Sequence, residues 1–176
     1  MDVKREHRPG PAAALPPAWS RGWFKLSAIT ACCIWDLAQP AIGAHPAGYL
    51  ANFTQTHAII ETSRMQCLTL TLYLADTAEQ HRQGLMFIER MDEFEGMLFR
   101  YHQSVFINMW MKNTYLPLDM LFIREDGTVS GVAPDTKPLS TDRISSSEPV
   151  SYVLEVNAGL TAAWGIGAGS RLLVID

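Results

Sequence analysis

Four leucines at every second position, Leu68, Leu70, Leu72 and Leu74, alternate with Thr69, Thr71 and Tyr73. A period of two places the leucines on one face of a β-strand, whereas a helix would scatter them around its axis. Gln66 is therefore the expected start of a β-rich domain, and the stretch before it, residues 45–65, has no clear period and reads as a linker.

The chain beyond this strand carries more signals of the same kind. Gly96 to Phe99 and Val105 to Ile107 look like short strands separated by a polar link, Arg100 to Ser104. Pro117 cannot donate to a central ladder, so the next strand begins after it, over Asp119 to Arg124. Asp126-Gly127 then joins that strand to Thr128–Val132 as a hairpin. Residues 135–149 are polar, with two Pro and four Ser, and read as one long loop. Tyr152–Val156 and Arg171–Ile175 complete the strands, with a helical turn over Ala158–Trp164.

One short helix is expected near residues 76–86. Asp76 followed by Glu79 has the spacing of a capping box, with Gly84 tolerated inside the helix. Short strands, one helix and no βαβ alternation predict a mainly β domain over 66–176, a compact β-sandwich or barrel.

Charge divides the chain in two. Residues 1–44 carry five Lys or Arg against three acids, and residues 45–176 carry nine basic against fifteen acidic side chains. The acidic remainder lacks the cationic surface that general nucleic-acid binding requires. The first 44 residues read as a signal peptide, or else as a disordered leader. A basic start ends at Lys25, an apolar run covers Leu26–Trp35, and small residues follow at Ala41–Ala44. The apolar run is shorter than the ~20 residues that span a bilayer, so no mature transmembrane segment is expected, and the mature domain is expected in the periplasm or secreted.

Five segments together resemble a known family. They are Arg82–Met86 (RQGLM), Gly96–Phe99 (GMLF), Trp110–Thr114 (WMKNT), Pro117–Ile123 (PLDMLFI) and Leu154–Gly159 (LEVNAG). Their order and spacing resemble domain of unknown function family 192, over about Gln66 to Arg171. Thr136–Thr141 (TKPLST) resembles the branch found in exported proteobacterial members. The resemblance implies a jelly-roll-like β structure. It implies no activity, cofactor or catalytic residue. One departure is Gly169-Ser170-Arg171, where members often have Gly-Asp-Arg.

The densest polar group is Lys112, Asn113, Thr114 and Asp119, beside Trp110 and Met111. A lysine for an anion, donors beside it and an aromatic wall are the composition of a small-molecule pocket. The same residues suit an irregular turn, where Asn113 and Thr114 satisfy backbone groups and Asp119 pairs with Lys112 or Arg82. Glu155 lies between apolar neighbours. It either faces solvent or, if buried, needs a partner such as Arg82 or Lys112.

The candidate ligand-binding residues are thus Arg82, Trp110, Lys112, Asn113, Thr114, Asp119 and Glu155, for an unknown small molecule or an envelope protein. A cell-envelope hydrolase or transferase using Lys112 and Asp119 is the enzymatic alternative. A copper carrier using Met86, Met97, Met109, Met111 and Met120 is another, because thioethers are soft ligands; the same methionines suit a core, where Met fills gaps. No zinc spacing, phosphate loop or Gly-x-Ser-x-Gly motif is present, and no cofactor or metal site is expected.

Overall fold

A computed structural model describes residues 48–62 and 66–175, all within the compact unit Ala38–Asp176. The expected leader, 1–44, lies outside the described residues. Nine strands and two short helices follow in the order β1 (Thr54–Glu61), β2 (Cys67–Ala75), α1 (Ala78–Gln83), β3 (Glu95–Val105), β4 (Asn108–Met109), β5 (Leu118–Ile123), β6 (Val129–Thr136), β7 (Ile144–Ser145), β8 (Val150–Asn157), α2 (Leu160–Trp164) and β9 (Arg171–Ile175).

Seven strands form one sheet in the order β6-β5-β8-β3-β2-β1-β9, and β4 pairs with β7 in a separate ribbon. The two outer strands of the sheet meet at one end. Thr128 bridges Arg171, the Val129 amide donates to Ser170 at 2.8 Å, and the Leu172 amide donates to Gly127 at 2.8 Å. The sheet therefore curls into a partly closed barrel, the mainly β architecture that the short strands predict.

Both faces of the central strands are buried, because side chains alternate across the sheet. Leu72, Leu98, Leu121 and Leu154 belong to one apolar cluster. Met97, Phe99, Met120, Phe122 and Val153 belong to another on the opposite face, together with Leu85, Ile88 and Met111 from the connecting segments. All six residues of β5 are buried. The leucines of β2 behave as their alternation predicts, with Leu68, Leu70 and Leu72 in the first cluster.

Several expectations change. The linker stretch contains β1, which pairs with both β2 and β9. Only Ala58 and Ile60 are fully buried in it, too short an alternation to register as a period. The two short strands around Arg100–Ser104 are one strand, β3, with a register shift between Arg100 and Val105 against β8. The long polar loop contains β7.

One βαβ unit is present after all. β2 and β3 run parallel, and such a pair requires a long crossover, which here carries α1. The cap of α1 lies one residue later than expected. Thr77 accepts from the Gln80 amide at 3.2 Å and Gln80 Oε1 accepts from the Thr77 amide at 3.0 Å. Asp76 is engaged elsewhere, bridged by Arg100 at 2.7 and 2.8 Å. Gly84 ends the helix with φ 50° instead of lying inside it.

Candidate functional site

Trp110 to Pro117 is an irregular connection fastened to two other loops through its main chain. The Met111 amide donates to the Ser140 carbonyl at 3.0 Å, the Phe87 amide to the Asn113 carbonyl at 2.8 Å, and the Leu139 amide to the Thr114 carbonyl at 3.1 Å. Phe87, Asn113 and Leu139 all take positive φ, between 57° and 62°. That conformation is costly for bulky side chains and persists only where the surroundings impose it. The fully buried Met111 anchors the segment in the core, and Thr136 Oγ1 lies 3.1 Å from its sulfur.

This segment forms one wall of a cavity of about 230 Å³. Its other walls come from α1 (His81, Arg82), the following turn (Gly84 to Met86) and the outer half of β3 (Phe99, Tyr101). Asn108, Met109, Trp110, Lys112 and Thr114 line the near side, and Glu155 of β8 reaches it from the sheet. Trp110 is half exposed, and Arg82 and Lys112 are exposed, so the charged and aromatic groups form the mouth.

Glu155 is only 4% exposed. Its register places it directly between Met97 of β3 and Met120 of β5, both fully buried. No hydrogen bond or ion pair joins its carboxyl to a described residue; neither Arg82 nor Lys112 reaches it in the way a buried strand glutamate would predict. Burial alone pushes its pKa up to about 8, because a charge in an apolar setting loses its hydration. Tyr101, two residues along the strand face from Phe99, is pushed up to about 12, first by burial and then by the Glu155 charge.

His81 packs its ring against Tyr101 at 4.6 Å between centroids. Its Nε2 lies 3.0 Å from the Ala75 carbonyl. A carbonyl only accepts, so Nε2 carries the hydrogen in that bond.

Asp119 has a different position. It is fully buried, and its Oδ1 accepts from the Asp135 amide at 2.8 Å. Its Oδ2 accepts from the amides of Gly159 and Thr161 and from Thr161 Oγ1, at 3.1, 3.0 and 2.6 Å. Four donors hold this carboxylate, and it pairs with neither Lys112 nor Arg82. Asn113 is likewise beside the cavity rather than in its lining, with its side-chain amide 3.8 Å from the Met86 sulfur.

The structure thus brings together Arg82, Trp110, Lys112, Thr114 and Glu155, and separates Asn113 and Asp119 from them. Sequence reasoning missed His81 and Tyr101. Tyr101 continues the Met97–Phe99 alternation, a signal hidden by reading Arg100–Ser104 as a link. His81 had no metal-ligand spacing to mark it. Among the described residues, no three His, Cys, Asp or Glu converge as metal ligands. Of the methionines, Met86 and Met109 line the cavity, while Met97, Met111 and Met120 are core. Among the described residues no helix is long and apolar enough to cross a membrane.

Comparison with known proteins locates the chain in a family. The family model for DUF192, described as uncharacterised, matches residues 59–174. A solved structure from Sinorhizobium meliloti 1021, named as a proposed transcription regulator, is 42% identical, with a TM-score of 0.68, covering 69% of this chain and 95% of its own. A protein of unknown function from Novosphingobium aromaticivorans DSM 12444 is 26% identical with a TM-score of 0.68, covering 75% of this chain and 94% of its own. No curated protein matches.

Proposed function

Because the chain belongs to the DUF192 family, which has no described activity, we propose its function from the cavity: it is a small-ligand-binding module whose site is floored by Glu155 and rimmed by Arg82, Trp110 and Lys112. The observation that carries this reading is the Glu155 carboxyl, buried, open to the cavity and without a hydrogen-bond or ion-pair partner among the described residues. An unsatisfied buried carboxyl is costly, and its cost is offset when a bound molecule supplies the missing hydrogen bonds. The cavity is somewhat smaller than the ~300–1,000 Å³ of pockets for drug-sized molecules, which favours a compact metabolite. Asp119 and Asn113 then support the site by holding the surrounding loops.

A second reading is general acid–base chemistry. It is favoured by the pKa of Glu155, about 8, which lies near the pH at which a proton-transfer group works best. In that reading Glu155 takes the role that the sequence suggested for Asp119, whose oxygens are already occupied. The name of the Sinorhizobium relative would point towards nucleic acid, but the excess of acidic side chains over residues 45–176 argues for a different partner. The basic start and short apolar run of the leader support an exported location.

The test is a thermal-shift screen of metabolites and metals on the full chain beside Lys112→Ala and Glu155→Gln. A compound that raises the melting temperature of the wild type, and raises it less in either variant, supports the site. If every compound that stabilises the wild type stabilises both variants equally, the cavity is not the binding site.

A further inference from the structure

We propose that the cavity takes a small zwitterion, with a primary ammonium group directed at Glu155 and a carboxylate or phosphate directed at Arg82 and Lys112. This rests on the reading of the cavity as a binding site and names the class of molecule it accepts.

Two independent features carry the inference. The first is the separation of charge within one small space. A carboxyl lies at the floor, and two cationic side chains without an ion pair among the described residues lie at the rim. A simple anion would meet Glu155 at the floor, and a simple amine would pass Arg82 and Lys112 at the mouth. A molecule with both groups matches both ends, and at about 230 Å³ the space suits a compact one. The second feature is the aromatic lining. Tyr101 and Trp110 both border the cavity, and aromatic faces attract ammonium groups. The residues that flank Glu155 on the neighbouring strands, Met97 and Met120, are buried and apolar. They offer the carboxyl no competing donor.

The inference has a thermodynamic signature. The titratable and charged groups around the cavity are Glu155, Tyr101, His81, Arg82 and Lys112. With its pKa near 8, Glu155 is mostly protonated at neutral pH. An ammonium group favours the ionised form, so binding releases the carboxyl proton to the buffer. The nitrogen remains protonated, no covalent bond forms and charge balances. Close to one proton per site is released near pH 7.

Calorimetry on the full chain in buffers of different ionisation enthalpy tests this, using glycine, β-alanine and O-phosphoethanolamine against ethylamine, propionate and glycerol. Amino acids and the phosphate ester distinguish the two sources of the anionic group. The ε-methyl signals of Met86 and Met109, which line the cavity, report where a probe sits. The expected result is that at least one zwitterion binds at least about tenfold more tightly than ethylamine and propionate, releases close to one proton and shifts both methyl signals. Glu155→Gln abolishes the proton release, and Lys112→Ala weakens zwitterion binding while leaving the release intact. If propionate, ethylamine or glycerol binds as tightly as any zwitterion and moves the methyl signals, the ligand class is overturned and the cavity remains a site. If a zwitterion binds without moving those signals, it binds outside the cavity and the zwitterion proposal is overturned, while the metabolite screen decides the cavity separately. If no zwitterion binds at millimolar concentration, the class is overturned, and the metabolite screen decides the cavity separately.

Discussion

Asp119 Oδ2 accepts a 2.6 Å hydrogen bond from Thr161 Oγ1, tying the middle of the sheet to the start of α2. The same oxygen accepts the Thr161 and Gly159 amides, and its partner oxygen accepts Asp135. A residue that looked like a participant in the site is instead the acceptor for three backbone amides that would otherwise be left without one.

Asp119→Ala therefore leaves four donors unsatisfied. Each such group costs about 1–3 kcal/mol, not additively, so a loss of roughly 3 kcal/mol or more is expected in urea unfolding. Thr161→Val removes one of the four donors and should cost on the order of 1 kcal/mol. A stable Asp119→Ala protein, within about 1 kcal/mol of wild type, would mean that the bonds contribute little.

Glu155 makes stability depend on pH. Its pKa is raised from 4.5 to about 8 on folding, so between these values the folded state holds the proton more tightly than the unfolded state. Stability is greatest below about pH 4.5 as far as this group is concerned, and is lost as pH rises towards about 8. The full effect is at most several kcal/mol, since each tenfold difference in proton affinity between the two states corresponds to about 1.4 kcal/mol. Glu155→Gln cannot ionise and should lose less melting temperature between pH 5 and pH 8.5. Parallel melting curves for the two proteins across that range would contradict the assignment.

Gly127 occupies the hairpin between β5 and β6 with φ 82°, and a Cβ there would collide with the Leu172 carbonyl. That carbonyl belongs to β9, where the two outer strands of the sheet meet. Gly127→Ala should thus cost more than the roughly 1 kcal/mol of an unfavourable positive φ, because the closure must shift as well. Chemical denaturation measures the loss, and amide exchange at Leu172, which donates to Gly127, should rise with it. A neutral Gly127→Ala with unchanged exchange would show that the closure is not under this constraint.

The amino-acid sequence determined the elements whose causes are local. The leucine alternation in β2, the Asp126-Gly127 turn and the proline before β5 each depend on neighbouring residues, and so are legible without a fold. So are the five motifs that identify the family. The capping box was legible only to within one residue, because Arg100, distant in sequence, engages the carboxylate of Asp76. The strand within the apparent linker was illegible, because its partners β2 and β9 bury just two of its side chains completely.

Only the tertiary structure decided the roles of the two central carboxylates. Asp119 and Glu155 sit on adjacent antiparallel strands, offset by one residue: Asp119 pairs with Val156, and Glu155 with Met120. Side chains alternate across a sheet, so this offset sends the carboxylates to opposite faces. Asp119 meets four donors, and Glu155 meets two methionines and a cavity. Which face carries donors depends on where α2 and the Trp110–Pro117 segment pack, and those are long-range contacts that no spacing within the sequence records.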